Sequence, residues 1–209
     1  MNISKRLAPL VLLMLLSGSK VAEAHIIAAR LGDFYTGALH PLTDLQDIVL
    51  WLALGLFAGS LGPERGRWLV PVMPLGLLAG FSAELSFGVG AVGPLGNAAL
   101  MVCVGLVLAA GLRLTTPMLC LLAFGLAFTR GAANADAVVT ETNRVLFAAG
   151  LALAGYVAIT LVMALTIAFR RAEFGPRGDW KAIALRVCGS WIAAVGLMIG
   201  GFALKSAAT

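Results

Sequence analysis

Apolar residues in this chain neither alternate with polar ones nor keep to one helical face. They come in long runs separated by short stretches of glycine, proline and charge. The runs extend over Leu42 to Leu61, Trp68 to Gly88, Leu95 to Leu112, Pro117 to Ala133, Val145 to Phe169 and Ile183 to Leu204. A helix needs roughly 20 mostly apolar residues to cross the hydrocarbon of a bilayer. The pattern therefore predicts an all-α, polytopic membrane protein, a bundle of six transmembrane helices over approximately 42–61, 68–88, 95–112, 117–133, 145–169 and 183–204. The connections carry turn formers such as Gly62-Pro63, Gly93-Pro94 and Gly175-Pro176 and leave no room for a second domain. Small-residue spacings at Gly55/Gly59, Gly76/Gly80 and Gly196/Gly200 let helix backbones approach closely, within the chain or between copies of it.

Composition agrees with the pattern. The 209 residues are 60% hydrophobic and 12% charged, with 25 glycines and a mean hydropathy of +0.97. That is too little charge to cover a water-soluble surface. The formal net charge of +5 is scattered between the apolar runs rather than gathered into a patch, which gives nucleic acid nothing to grip. Arg65 and Arg67, Arg113, and the group Arg170, Arg171, Arg177 and Lys181 fall in alternate connections, where an excess of Lys and Arg marks the cytoplasmic side. Cys103, Cys120 and Cys188 all lie inside apolar runs and read as buried packing thiols.

The start of the chain has its own signature. Lys5 and Arg6 precede the short apolar run Leu7 to Leu16, and Ala22-Glu23-Ala24 places small residues where a signal peptidase reads them. A cleavable signal peptide over residues 1–24 is expected, followed by one membrane domain over residues 25–209. Six spans then put both ends of the mature chain on the outer, periplasmic side of a bacterial inner membrane, in agreement with the distribution of basic residues.

Charged groups inside a span cost at least ~2.5 kcal/mol each at the bilayer centre, so each one near an apolar run is a functional candidate. His40, Asp44 and Asp47 open the first run, Glu84 ends the second, Asn97 begins the third, and Arg130 and Asn134 end the fourth. All fall toward the outer side, where they can converge on one vestibule. Pro41 suits the first turn of a helix beginning beside His40, and the i, i+4, i+7 spacing would then place both carboxylates on one face. Imidazole with carboxylates suits a divalent transition metal; a wetted helix cap is the simpler alternative. Arg130 and Asn134 share a helical face, and Arg130 can neutralise Asp44, Asp47 or Glu84 as a structural ion pair. His25, once it is the N-terminus, can chelate a metal through its amine and imidazole. No nucleophile motif, phosphate-binding loop or H-E-x-x-H stands in the chain, and an enzyme is not expected.

The stretch Gly37-Ala38-Leu39-His40-Pro41-Leu42-Thr43, the run Trp51-Leu52-Ala53-Leu54-Gly55-Leu56, the segment Pro94 to Leu106, and Leu185-Arg186-Val187-Cys188-Gly189 resemble the HupE/UreJ family of small nickel and cobalt permeases. The resemblance implies a six-span permease with an external N-terminus, no cofactor, and a divalent metal as cargo. In a permease of this kind His40 and Asp47, with His25, are the expected metal ligands, and Asp44, Glu84, Asn97, Arg130 and Asn134 the expected lining of the substrate path. Where the family has Asp-His this chain has Gln46-Asp47; where it has Pro-x-x-Glu this chain has Pro94-Leu95-Gly96-Asn97; where it has His-Gly-x-Ala-His-Gly this chain has Arg130-Gly131-Ala132-Ala133-Asn134-Ala135. These replacements support a second expectation, a non-transporting membrane accessory or assembly protein that has lost the metal-binding histidines. The expected partners are the lipid bilayer, a transition-metal substrate and other copies of the chain.

Overall fold

A computed structural model describes residues 32–136, 138–172 and 180–208, so the expected signal peptide and His25 lie outside the described residues. Each of the six apolar runs is a helix. In chain order α1 spans Asp33–Leu39, a 3-10 turn spans His40–Thr43, and α2 spans Leu45–Leu61. A short α3 covers Pro63–Gly66 and α4 covers Leu69–Phe87. They are followed by α5 over Pro94–Ala110, α6 over Thr116–Ala135, α7 over Arg144–Arg171 and α8 over Trp180–Ala208. No strand occurs among the described residues.

Four helices are long and apolar enough to cross a membrane: the combined α3–α4 stretch, α6, α7 and α8. They become five if α1, the 3-10 turn and α2, bent by 82°, count as one broken span. The remaining apolar helix, α5, has 17 residues, about 26 Å at 1.5 Å per residue, a little less than the ~30 Å hydrocarbon thickness. Large side chains such as Leu153, Tyr156, Val157 and Leu161 on α7 and Val187, Trp191, Leu197 and Phe202 on α8 point outward. Water would not tolerate that much exposed apolar surface, whereas lipid is its natural solvent. Cys103 and Cys188 also face outward, contrary to the buried packing expected of them, because in a lipid-exposed bundle an apolar run does not imply an inward-facing residue.

Two local departures from the expected elements shape the ends of the bundle. The first apolar helix does not start beside His40. The chain makes a separate helix, α1, passes through the 3-10 turn containing Pro41, and restarts at Leu45 with Asp44 as its N-cap. Asp44 has extended backbone angles (φ −98°, ψ 115°), and its side chain accepts the Gln46 amide at 2.8 Å, a strong helix-start signal that prevails over the proline upstream. The second is α3, which fills the turn at Gly62-Pro63. Gly62 sits at φ 88°, where a side chain would be strained, and Pro63 follows at the first helical position.

The helices pack mainly in pairs, α4 with α6, α2 with α7 and α5 with α8, while α1 lies along α7 and α4 also contacts α7. Glycines set the closeness of each pair. A Cβ on Gly80 would run into the backbone carbonyl of Phe128, and one on Gly131 into that of Leu77, so α4 and α6 meet backbone to backbone. Gly55 and Gly59 receive Val162 and Thr166 of α7, and Gly105 and Gly189 face each other across α5 and α8. The small-residue spacings at Gly55/Gly59, Gly76/Gly80 and Gly196/Gly200 thus serve contacts inside the chain. Between the pairs lies a core of Leu50, Leu54 and Phe57, the i+4 ladder Leu69, Met73, Leu77 and Phe81, and Phe147 and Leu151, with Phe81 stacked on Phe147 at 5.6 Å.

Replacing Gly80 by alanine forces α4 away from α6 and is expected to cost about 1–3 kcal/mol by overpacking. Gly125, on the partner helix α6 but with open space around it, should accept alanine with unchanged or slightly higher stability. Thermal unfolding of the two variants in one detergent distinguishes the positions; equal midpoints would contradict the close backbone contact.

Candidate functional site

Helix direction alternates along the bundle, so the start of α2, the end of α4, the start of α5 and the end of α6 share one end of the molecule. The polar residues singled out in the sequence fall at that end, but they do not form one group. Four of them, with Gln46, make a network. Arg130 of α6 is buried at 3% exposure, and its Nε donates to Asp47 Oδ1 at 2.6 Å. Its Nη2 donates to Asp44 Oδ2, and its Nη1 reaches Gln46 Oε1 at 3.3 Å. Asn134, one helical turn later, spends both hydrogens of its Nδ2, one on Asp47 Oδ2 at 2.9 Å and one on its own helix at Arg130 O, 2.8 Å.

The geometry obeys two local rules. Asp44 as N-cap and Asp47 in the first turn of α2 sit three residues apart, so their carboxylates flank one side of the helix start. Arg130 and Asn134, four apart on α6, present a guanidinium and an amide to that side. The planar fork of arginine bridges both carboxylates, as an ammonium could not. Asp47 is 1% exposed and is held on both oxygens, whereas the Asp44 side chain is 39% exposed and opens the network to the exterior. Two carboxylates and one guanidinium leave a net charge of −1. Asn134 Oδ1 is buried without a hydrogen-bond partner, an unused acceptor beside that charge.

The other candidates stand apart. Glu84 bends over the end of its own helix, where Oε2 accepts the Gly90 amide at 2.8 Å and fastens the loop between α4 and α5. Asn97, 7% exposed, donates from Nδ2 to Val92 O at 2.8 Å and fastens the other side of that loop; its Oδ1 has no partner. His40 lies in the 3-10 turn, before the bend, with its ring 6.1 Å from that of Phe147. The bend removes the shared helical face expected for positions 40, 44 and 47. Among the described residues no three His, Cys, Asp or Glu side chains are grouped to hold a metal ion, and His25 lies outside them. Gln46, which the sequence marks only as a replaced family position, is part of the network. Its signal was its place between two acids at a helix start. Trp51, one turn after Asp47 on α2, is buried with Nε1 unpartnered.

Long apolar helices with lipid-type outer faces, joined at one end by a buried ionic network, define a polytopic helical membrane protein. The chain belongs to the HupE / UreJ protein family, whose family-wide profile matches residues 12–199, most of its length. No curated protein and no solved structure gives a significant match.

Removing Arg130 leaves Asp47 buried and uncompensated. Arg130→Met should therefore lower stability by about 3–5 kcal/mol, and Asp47→Asn by clearly less, because the amide still accepts from Arg130, which also keeps Asp44. The double variant should lose less than the sum of the two. Denaturation of the single and double variants in detergent measures the coupling, and strict additivity would show that the pair contributes nothing.

Proposed function

We propose that the protein is a HupE/UreJ-type permease that admits a divalent transition-metal cation, nickel or cobalt, through the end of the bundle formed by α2 and α6. In this reading the mature chain, cleaved after Ala24, crosses the bilayer six times with both ends outside. The observation that carries the reading is the pairing of two carboxylates, Asp44 and Asp47, with the single guanidinium of Arg130 and the Asn134 amide among apolar helices, with Asp44 open to the exterior. An apolar bundle gains little from an ion pair for stability alone, since an apolar replacement of similar volume is often as stable. A binding role gives the charge a reason to be there. His40 lies four residues before Asp44 on the approach to the network and would act in capture. Asp47 would receive the ion, and Arg130 would hold the carboxylates in register when no cargo is present.

Two observations favour a second reading, a membrane accessory that moves nothing: Arg130 already occupies both carboxylates, and the described residues offer no set of three metal ligands. Uptake separates the two. Cells expressing the wild type should accumulate labelled nickel or cobalt above empty-vector cells, and His40→Ala and Asp47→Ala should each lower the uptake several-fold at equal protein level. Uptake no greater than the vector control for both metals would leave the accessory reading standing. Orientation has its own measure. In a variant lacking Cys103, Cys120 and Cys188, an impermeant thiol reagent added outside should label Glu141→Cys and spare Arg113→Cys; the reverse would invert the topology.

A further inference from the structure

At the end of the bundle opposite the Arg130 network, a cavity of about 780 Å³ opens between the ends of α2, α5 and α7 and the start of α8. Among the described residues five arginines line it: Arg65, Arg113, Arg170, Arg171 and Arg186. Among the described residues the one acid that lines it with them is Glu64. A preference for basic residues in cytoplasmic connections accounts for their sign but not for their convergence, since they come from α3, the α5–α6 turn, the end of α7 and the first turns of α8.

Three of the five are held in place by backbone carbonyls, two of them at helix ends and the third in the α5–α6 turn. Arg170 Nη1 donates to Ser60 O at 2.6 Å and Gly59 O at 3.3 Å, closing the end of α2. Arg186 Nε donates to Ala109 O at 2.7 Å at the end of α5, and Arg65 Nη1 to Leu114 O at 3.4 Å. Each contact uses a single nitrogen and leaves the other donors of that guanidinium available. The Arg113 and Arg171 side chains make no hydrogen bond or ion pair among the described residues. Beside the cavity's rim Arg67 lies over the exposed Trp68 ring at 5.5 Å, the kind of aromatic anchor that marks the headgroup layer.

We propose that this cavity binds a phosphate-bearing anion, as the phosphodiester headgroup of an anionic lipid or as free phosphate. Guanidinium forks match phosphate oxygens two at a time, and basic pockets between membrane helices are a recurrent seat for lipid headgroups. Arg65, Arg170 and Arg186 supply fixed donors, and Arg113 and Arg171 close on the ligand. The cavity is independent of the proposed cation path at the other end.

The test uses the purified full chain in a neutral detergent. Thermal unfolding is followed with phosphatidylglycerol, with phosphatidylcholine, and with inorganic phosphate in the absence of lipid; lipid retained from an equimolar mixture of the two is read by native mass spectrometry. Phosphatidylglycerol should raise the midpoint by about 3 °C or more and be retained over phosphatidylcholine. Arg113→Gln/Arg171→Gln should cut that preference about tenfold, while Arg144→Gln at the other end leaves it intact. A comparable shift with inorganic phosphate alone, lost in the same double variant, supports the site with a soluble ligand as its occupant. Equal retention of the two lipids by the wild type together with no shift from phosphate overturns the proposal, whatever the variants do. A double variant that responds as the wild type does also overturns it.

Discussion

The structure at the Asp44 end depends on a single guanidinium. α6 packs along α4, and α2 packs along α7; α2 and α6 themselves hardly touch except where Arg130 reaches across to Asp44 and Asp47. Outside this network the two helices are connected by apolar contact relayed through α7 and α4, in a lipid environment that supplies no hydrophobic drive between helices. The bidentate bridge fixes what the apolar surfaces leave open, the rotation and height of α6 relative to the start of α2. Asn134 reinforces it by gripping the second oxygen of Asp47 while anchored to its own helix.

Glycine sets the distances within which that bridge can form. With α4 and α6 in backbone contact at Gly80 and Gly131, and α2 pressed on α7 at Gly55 and Gly59, the two pairs present their ends close enough for one side chain to span them. The same arrangement places the other ends of α2 and α5 beside α7 and α8, where Arg170 and Arg186 cap carbonyls that the helices leave unpaired. Arginine therefore closes both ends of the bundle, at one by neutralising carboxylates and at the other by capping backbone.

Much of this architecture is legible in the sequence, and what is not has physical reasons. Runs of apolar residues fix where helices lie because lipid demands satisfied backbone, and every expected run is a helix. The i, i+4 pairing of Arg130 and Asn134 is a property of one helix and can be read directly. The break at Asp44 cannot, because Pro41 and Asp44 are both good helix starts three residues apart, and the Asp44 cap prevails in a fold where α1 packs on α7 through Gly37 and Gly150. Nor can the partner of Arg130. Asp44, Asp47 and Glu84 are equivalent in the sequence; the fold sends Glu84 to the Gly90 amide and leaves the other two to the arginine.

The bridge also constrains any cation that passes. With Arg130 in place the network carries one negative charge, and a divalent ion joining it would leave one positive charge among apolar helices, which Coulomb repulsion from a guanidinium at contact distance opposes by several kcal/mol even at an effective dielectric near 20. If Arg130 withdraws, two carboxylates and one divalent ion are neutral, and the cost falls on the displaced guanidinium. Gln46 already shares that group and sits on the exposed side of the network, so the arginine has a neutral acceptor to lean on as it leaves Asp47. A monovalent ion leaves the two carboxylates one charge short of neutral and compensates for the loss of Arg130 no better than the arginine itself. Under the permease reading, charge balance alone therefore selects for divalent cargo.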